Sequence, residues 1–259
     1  HVDERDAEAA LERAQLELVD WRLAEETLQK DVATLIAGRE VVDWRQEADL
    51  QTCLGRLRER YGGQVVFWAE GGQGEPVVQG AATRYELAGQ RATMLALVTA
   101  PPGPDELRWV LSEVQPQVIF LLPPQAVADP TVSGFLEQVA GMLKVALRAH
   151  EGWVDPVRMS ARVGARRAAV VAGLRWLEAM GKVVLRYERG GLRAYEPNRA
   201  PPEMELANNG GNQHEDEEGQ RAARQAQAQQ VVRSLLEETK AYRRAYAEEP
   251  LSALFYTPK

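Results

Sequence analysis

Cysteine and histidine are scarce in this chain of 259 residues, which holds one cysteine and three histidines. Cys53 alone cannot form an intramolecular disulfide, and such cysteine usage is typical of a reducing, cytoplasmic compartment. His1, His150 and His214 stand far apart in the sequence, so no zinc-ligand spacing is present. HExxH, nucleophile-elbow and phosphate-loop patterns are also missing, and the glycines of residues 71–74 predict a flexible turn. The sequence therefore predicts no catalytic residue, metal site or cofactor on this chain.

Long apolar runs and an excess of positive charge are missing as well. No run reaches the roughly 18 apolar residues that cross a bilayer, and no signal-peptide pattern follows His1. The net charge is −7, so the chain as a whole does not predict a surface for nucleic acid or membranes. An apolar content of 45% is ordinary for a globular protein. Because the first residue is not Met, we expect the chain to be a piece of a longer protein.

Short apolar runs alternate with helical stretches over residues 39–150, which predicts an α/β domain. Strands are expected at Glu40–Arg45, Gln64–Ala69, Arg91–Ala100 and Val118–Leu122, and helices at Asp49–Tyr61, Pro104–Val114 and Thr131–His150. The strands are continuously apolar, which indicates a small parallel sheet flanked by helices. The loop-rich segment Gly71–Gly89 has room for a hairpin. Asp43 follows a strand, where α/β folds can place a catalytic carboxylate, but a contact with Arg45 or a strand-end cap is favoured.

A different pattern occupies residues 151–199. Its expected elements are, in order, Pro156–Val163, a turn at Gly164, Ala165–Met180, Lys182–Tyr187 and Leu192–Glu196. The first two are helices, Gly181 is a suitable stop for the second, and the last two alternate like a two-stranded hairpin. Helix, turn, helix, hairpin is the order of a winged helix-turn-helix domain.

This predicted winged helix is basic although the chain is acidic. Ten basic and four acidic residues between Asp155 and Arg199 give a local charge of +6, which leaves −13 elsewhere because −7 minus 6 is −13. A basic module in an acidic chain has the charge pattern of a DNA-contacting domain. The side chains expected to meet phosphates are Arg158, Arg162, Arg166, Arg167, Arg189 and Arg193. The second helix has few side chains that read base edges, so backbone contact and pure packing through Trp176 both stay open, and sequence-specific reading is disfavoured.

The two ends of the chain predict connecting elements. Residues 1–38 predict a connector helix, with a coiled-coil dimer as the alternative although the heptads are irregular. Residues 200–219 predict an acidic, disordered linker. Residues 220–259 predict a last helix and a tail. The apolar stripe of this helix, with Leu235 and Tyr242, needs a surface, either the chain's own body, another chain or a further domain.

Three segments occur in an order and spacing that match a known family. The first segment, Val41–Arg45, has the pattern apolar-apolar-Asp-x-Arg. The second leads through two prolines into a helix at Thr99–Leu107 and continues into a buried strand at Gln115–Leu122, and the third, Leu235–Arg244, is a closing helix. Over roughly residues 40–250 the sequence resembles the C-terminal region of bacterial RecJ-type single-strand-specific DNA exonucleases.

This resemblance implies a role in DNA repair and recombination. The family digests single-stranded DNA from 5′ to 3′ with manganese or magnesium, and its catalytic Asp-His-His cluster lies in an earlier domain, so no catalytic residue is carried over to this chain. The resemblance implies an accessory region that steadies the nuclease core on single-stranded DNA or docks a partner such as single-strand-binding protein or a helicase. A stand-alone winged-helix DNA-binding or regulatory protein, and an interaction module without DNA contact, remain the alternatives.

Overall fold

The computed structural model describes residues 36–251 apart from residue 37, residue 48, residues 73–76 and residues 200–213. The predicted connector helix therefore lies almost wholly outside the described residues, as does most of the predicted linker.

A five-stranded sheet forms the first part of the structure. Its strands are β1 (Glu40–Asp43), β2 (Val65–Trp68), β3 (Ala81–Ala82), β4 (Met94–Thr99) and β5 (Val118–Gln125). They lie in the order β1-β5-β4-β2-β3, and every neighbouring pair is parallel. The predicted α/β class with a parallel sheet is confirmed. The hairpin suggested for Gly71–Gly89 is wrong, because β3 pairs in parallel with β2 and a short helix follows it.

Four helices accompany these strands: α1 (Leu50–Tyr61), α2 (Arg84–Leu87), α3 (Pro104–Val114) and α4 (Val132–Ala149). Asp49 caps α1 by accepting hydrogen bonds from the backbone N–H groups of Gln51 and Thr52. Pro104 occupies the first turn of α3, as its missing N–H allows. Alternate residues of β5 pack on opposite faces of the sheet, with Ile119 in the cluster of α3 and Phe120 in the cluster of α1.

The second part contains a helix-turn-helix and a small antiparallel sheet. Its elements are β6 (Trp153–Val154), α5 (Pro156–Val163), α6 (Arg167–Ala179), β7 (Val184–Glu188) and β8 (Gly191–Tyr195). The predicted hairpin pairs as β7 and β8, and β6 adds a third strand beside β8. Two residues are too few to show an alternating pattern, so the sequence does not predict β6.

The last helix, α7 (His214–Glu248), folds back onto both parts. Its start lies within the predicted linker, so residues 214–219 are helical and the linker prediction is wrong for them. Negative charges at a helix start interact favourably with the helix dipole, which is how an acidic run such as 215–218 supports helix rather than coil. Leu235 shares an apolar cluster with α4 and α6, and Tyr246 is buried in the cluster of α3. The interpretation that the apolar stripe packs on the chain's own body is confirmed. None of the helices in the described part has the length and apolarity of a membrane span.

Candidate nucleic-acid groove

The place where α/β sheets usually bind ligands is filled by the chain itself. The strand connections reverse direction between β2 and β4, and ligands of such folds bind beyond the carboxyl ends of the strands at this switch point. Here the turn between α5 and α6 lies against that edge. The buried Ala165 carbonyl accepts a hydrogen bond from Arg84 Nη2 at 2.5 Å. A Cβ on Gly164, whose φ is +62°, would lie 2.9 Å from the Cα of Gly71, so the approach requires glycine.

Buried ion pairs hold the turn between α5 and α6 against the sheet. Glu70 is 1% exposed, and its Oε1 lies 3.3 Å from Arg84 Nε. Arg84 Nη1 lies 3.5 Å from Glu106 Oε1, and the same oxygen accepts the backbone N–H of Arg167 at 3.0 Å. Glu106 therefore caps α6 from a different helix, a role that the Arg166 side chain at the N-cap position does not take. Burial raises the pKa of the Glu70 carboxyl above its usual range, and the Arg84 guanidinium opposes that rise.

Arg166 belongs to the same buried cluster and is not a phosphate-binding side chain. It is 3% exposed, and its Nη1 lies 2.5 Å from Glu238 Oε2. Its Nη2 lies 3.8 Å from Asp105 Oδ2. The expectation that Arg166 meets DNA is wrong because its guanidinium instead joins the start of α6 to α3 and α7.

A groove with a volume of about 1590 Å³ lies beside this cluster, between α3, α6 and the first half of α7. Five arginines at its surface line it: Arg108, Arg167, Arg175, Arg221 and Arg224. Of these, Arg167, Arg175, Arg221 and Arg224 form no ion pair with any residue that the structure describes. With the buried Arg84 and Arg166, the lining holds seven arginines against three carboxylates, those of Asp105, Glu106 and Glu178. The groove is therefore positively charged.

Two aromatic side chains share the groove with the arginines. Trp109 of α3 is half-buried, and Tyr187 of β7 is 75% exposed. Exposed aromatic rings in a basic groove provide surfaces on which nucleic-acid bases stack.

The arginines expected from the sequence are spread over several surfaces. Arg158 and Arg162 are exposed on α5, and Arg158 lies 5.7 Å over the ring of Tyr85. Arg189 is exposed in the turn between β7 and β8. Arg193 is held in the small sheet, where it lies over Trp153 and Tyr195 and donates to the Glu151 carbonyl. Of the six predicted arginines, only Arg166 and Arg167 line the groove, and Arg166 does so from a buried position.

The side chains expected to pack against a partner surface lie against other elements of this chain, and packing on another chain stays a prediction. Trp176 is half-buried against the cluster of α4, α6 and α7, and Leu235 is 4% exposed in it. Burial raises the pKa of Tyr242 above its ordinary value.

Sequence reasoning missed Arg108, Arg175, Arg221 and Arg224, which come from three helices. Arg221 and Arg224, one helical turn apart, were the strongest available signal.

The Asp43 carboxylate is engaged by a neighbouring side chain. Its carboxylate accepts hydrogen bonds from the Arg45 guanidinium at 2.9 and 2.8 Å, which hold the pKa of Asp43 below its usual range. The favoured interpretation, a contact with Arg45, is confirmed.

Among the residues that the structure describes, no three His, Cys, Asp or Glu side chains are arranged to hold a metal ion. Comparisons with protein-family models, curated proteins and solved structures match nothing to this chain.

Proposed function

We propose that this chain is the accessory C-terminal part of a single-strand-specific 5′-3′ exonuclease of DNA repair and recombination. In this role it holds single-stranded DNA without reading its sequence, and it is not catalytic by itself. The observation that carries the proposal is the groove between α3, α6 and α7. In it, four exposed arginines have no carboxylate partner among the described residues, and two accessible aromatic rings lie beside them.

The arrangement suits a sugar–phosphate backbone. Arg167 and Arg175 lie on one face of α6 about 12 Å apart along its axis, so they can meet separate phosphates. Arg221 and Arg224 face them from α7. Guanidinium groups bind phosphate oxygens through two parallel N–H donors. Trp109 and Tyr187 would stack bases, which is possible with any sequence because every base has a flat face.

Sequence-specific reading of a duplex fits less well. In the winged helix that the sequence predicts for this part, α6 would be the recognition helix. Such a helix enters a major groove about 12 Å wide with one face free. Here α6 packs against α4 and α7, and its remaining face forms the bottom of the groove between α3 and α7. A flexible single strand can follow that groove, whereas a duplex would meet both flanking helices.

The accessory role in a nuclease rests on the resemblance to the RecJ-type region. We place the phosphodiester chemistry, with its manganese or magnesium, in a preceding nuclease core. A purified sample of this chain should therefore leave labelled single-stranded DNA intact in the presence of manganese, and chelator-sensitive degradation would contradict the proposal. Sequencing the gene upstream of His1 separates the two leading candidates. An Asp-His-His phosphoesterase domain there supports the exonuclease, and its absence favours a stand-alone winged-helix protein.

A salt titration tests the DNA contact itself. Fluorescence anisotropy with labelled oligothymidine measures the affinity of the wild type, of Arg175→Ala/Arg221→Ala and of Arg233→Ala. Arg233 is exposed on α7 but does not line the groove, so it is the matched control. Each phosphate contact on a single strand contributes about 0.7 to the slope of log affinity against log salt. We expect the double variant to flatten that slope by about 1.4 for every sequence and the control to leave it unchanged.

Two results would overturn the DNA assignment. One is an unchanged slope in the double variant, which would reduce the groove arginines to solvated surface charge. The other is a double variant that binds DNA as tightly as the wild type but no longer binds an acidic peptide, such as the tail of a single-strand-binding protein. That result would assign the groove to a protein partner.

A further inference from the structure

A second cavity opens at the carboxyl edge of the main sheet. Its volume is about 500 Å³, and it lies beside the ends of β4 and β5, next to the switch point that the α5–α6 turn fills. Pockets of roughly 300–1,000 Å³ are the size that holds small-molecule ligands. The cavity shares no lining residue with the arginine groove. It is therefore the part of the usual ligand edge that the chain leaves open.

The walls of this cavity combine small apolar groups with cations. Ala100, Pro124, Ala126 and Val127 line it from the ends of β4 and β5 and the loop that follows. The facing wall is α7, which contributes Ala241 and Ala247 and three basic side chains, Lys240, Arg243 and Arg244. The basic residues occupy adjacent turns of one helix, so their charges lie close together.

Arg243 is held in place before any ligand arrives. Its side chain is 11% exposed, its Nη1 lies 3.9 Å from Asp129 Oδ1, and its Nη2 donates to the Gly164 carbonyl. Burial lowers the pKa of Arg243, because desolvation disfavours the charged guanidinium. Its Nε is buried and has no hydrogen-bond acceptor among the residues that the structure describes.

Lys240 and Arg244 are in the opposite situation. Both are exposed, and neither forms an ion pair with a described residue. Asp129 and Glu237 also line the cavity, and Asp129 lies near Arg243. Three cations against two carboxylates leave the cavity with a positive balance, and the excess lies at the exposed side chains.

We propose that this cavity binds a small molecule that carries a phosphate group. Arg244 and Lys240 contact the phosphate oxygens, and the fixed Arg243 guanidinium adds its charge from the inner wall. A positioned guanidinium binds phosphate well because little conformational freedom is lost on binding. Ala100, Pro124 and Val127 cover the uncharged part of the ligand. The site is independent of the groove and does not depend on the exonuclease proposal.

Nuclear magnetic resonance of the whole chain, labelled with nitrogen-15, tests the site. The probes are inorganic phosphate and a nucleoside 5′-monophosphate, each titrated at constant ionic strength with chloride as the reference anion. We expect saturable shifts of the backbone amide signals of residues 125–129 and 240–247 with both probes. Lys240→Ala/Arg244→Ala should weaken binding at least tenfold, and Arg233→Ala on the same helix should leave it unchanged.

Both substituted side chains are exposed and alanine is a good helix former, so the double variant should fold, which its far-ultraviolet circular dichroism verifies. Shifts with the monophosphate that exceed those with phosphate would extend the site over the apolar wall and support the proposal. Shifts that are absent, linear in concentration or confined to residues of the groove would overturn it. Unchanged affinity in the double variant would overturn it as well.

Discussion

The Arg45 guanidinium donates a hydrogen bond to the backbone carbonyl of Tyr246, which lies 201 positions further along the chain. The same guanidinium lies 5.6 Å over the Tyr246 ring and is held from its other side by Asp43. The first strand is thereby joined to the end of the last helix. This contact gives the Asp-x-Arg pattern of the sequence a physical purpose, since it anchors α7 to the sheet.

Replacing Asp43 by Asn should destabilise the protein at neutral pH by about 1–3 kcal/mol, because the nearly buried Arg45 loses its charged partner. The pKa of Asp43 is lowered in the folded state. The carboxylate therefore stabilises the fold fully above its unfolded pKa of about 3.9, and this contribution is lost as the pH falls through the lower folded value.

Urea denaturation of wild type and Asp43→Asn between pH 7 and pH 2.5 measures the difference. It should be largest at neutral pH and shrink as the solution becomes acidic. A difference that does not change with pH would show that the Asp43 charge is not what holds Arg45.

Arg166 and Arg167 are neighbours in sequence with opposite roles. Arg166→Ala should lower the free energy of unfolding by on the order of 2 kcal/mol, because the ion pairs that join α3, α6 and α7 are lost. The loss stays moderate because Glu238 and Asp105 keep access to water. Arg167→Ala should leave the thermal unfolding midpoint nearly unchanged and weaken DNA binding instead.

Differential scanning calorimetry and the anisotropy assay together separate these two roles. Equal stability of the two variants would contradict the buried role of Arg166, and normal DNA affinity of Arg167→Ala would remove Arg167 from the groove's binding set.

Most of the fold was predictable because the sequence carries local signals for it. The apolar strands β4 and β5 and the proline at the start of α3 each mark an element without help from distant residues. The arrangement of α7 was only partly predictable. Its apolar stripe demanded a partner surface, but the acidic composition of residues 215–218 resembled a linker more than a helix start.

The candidate site was much less predictable. Counting arginines in residues 155–199 found a basic module but could not separate the buried Arg166 from the exposed Arg167, because burial here depends on Asp105 and Glu238 from other helices. Arg108 and Arg221 lay outside that module in sequence and join it only through the packing of α3 and α7. A groove between three helices leaves no contiguous motif.

The backbone at Gly152 supplies a test of the small sheet. Its φ is +83°, and an added Cβ would lie 2.1 Å from the Ala194 carbonyl oxygen. Gly152→Ala should therefore cost more than about 2 kcal/mol and loosen the pairing of β6 with β8. Gly141→Ala is the matched control, since an added Cβ in the middle of α4 meets no described atom within 4 Å apart from the backbone of its own helix. We expect the control to raise stability by about 0.5–1 kcal/mol through helix propensity, as thermal denaturation would show.

Cutting the chain before α7 tests how firmly that helix is docked. A protease site placed within residues 205–210 would separate α7 from the rest after cleavage. Leu235 and Tyr246 are buried in two different clusters, so the cleaved helix should stay bound through gel filtration at low micromolar concentration. Leu235→Ala, which should cost about 2–5 kcal/mol, is expected to release it. Release without that substitution would show that the helix needs an outside partner.

The turn at Gly164 also bears on how this region can be inherited. Moving residues 151–199 alone into another protein would leave the Ala165 carbonyl without Arg84 and the buried Arg166 without its carboxylates. It would also expose the apolar side chains of α6 that α4 and α7 cover, so the transplanted piece would not keep its native packing. The change of sequence pattern near residue 150 is therefore not a domain boundary at which recombination between genes can separate two independent units. Domain shuffling has to transfer the sheet, the helix-turn-helix and α7 together.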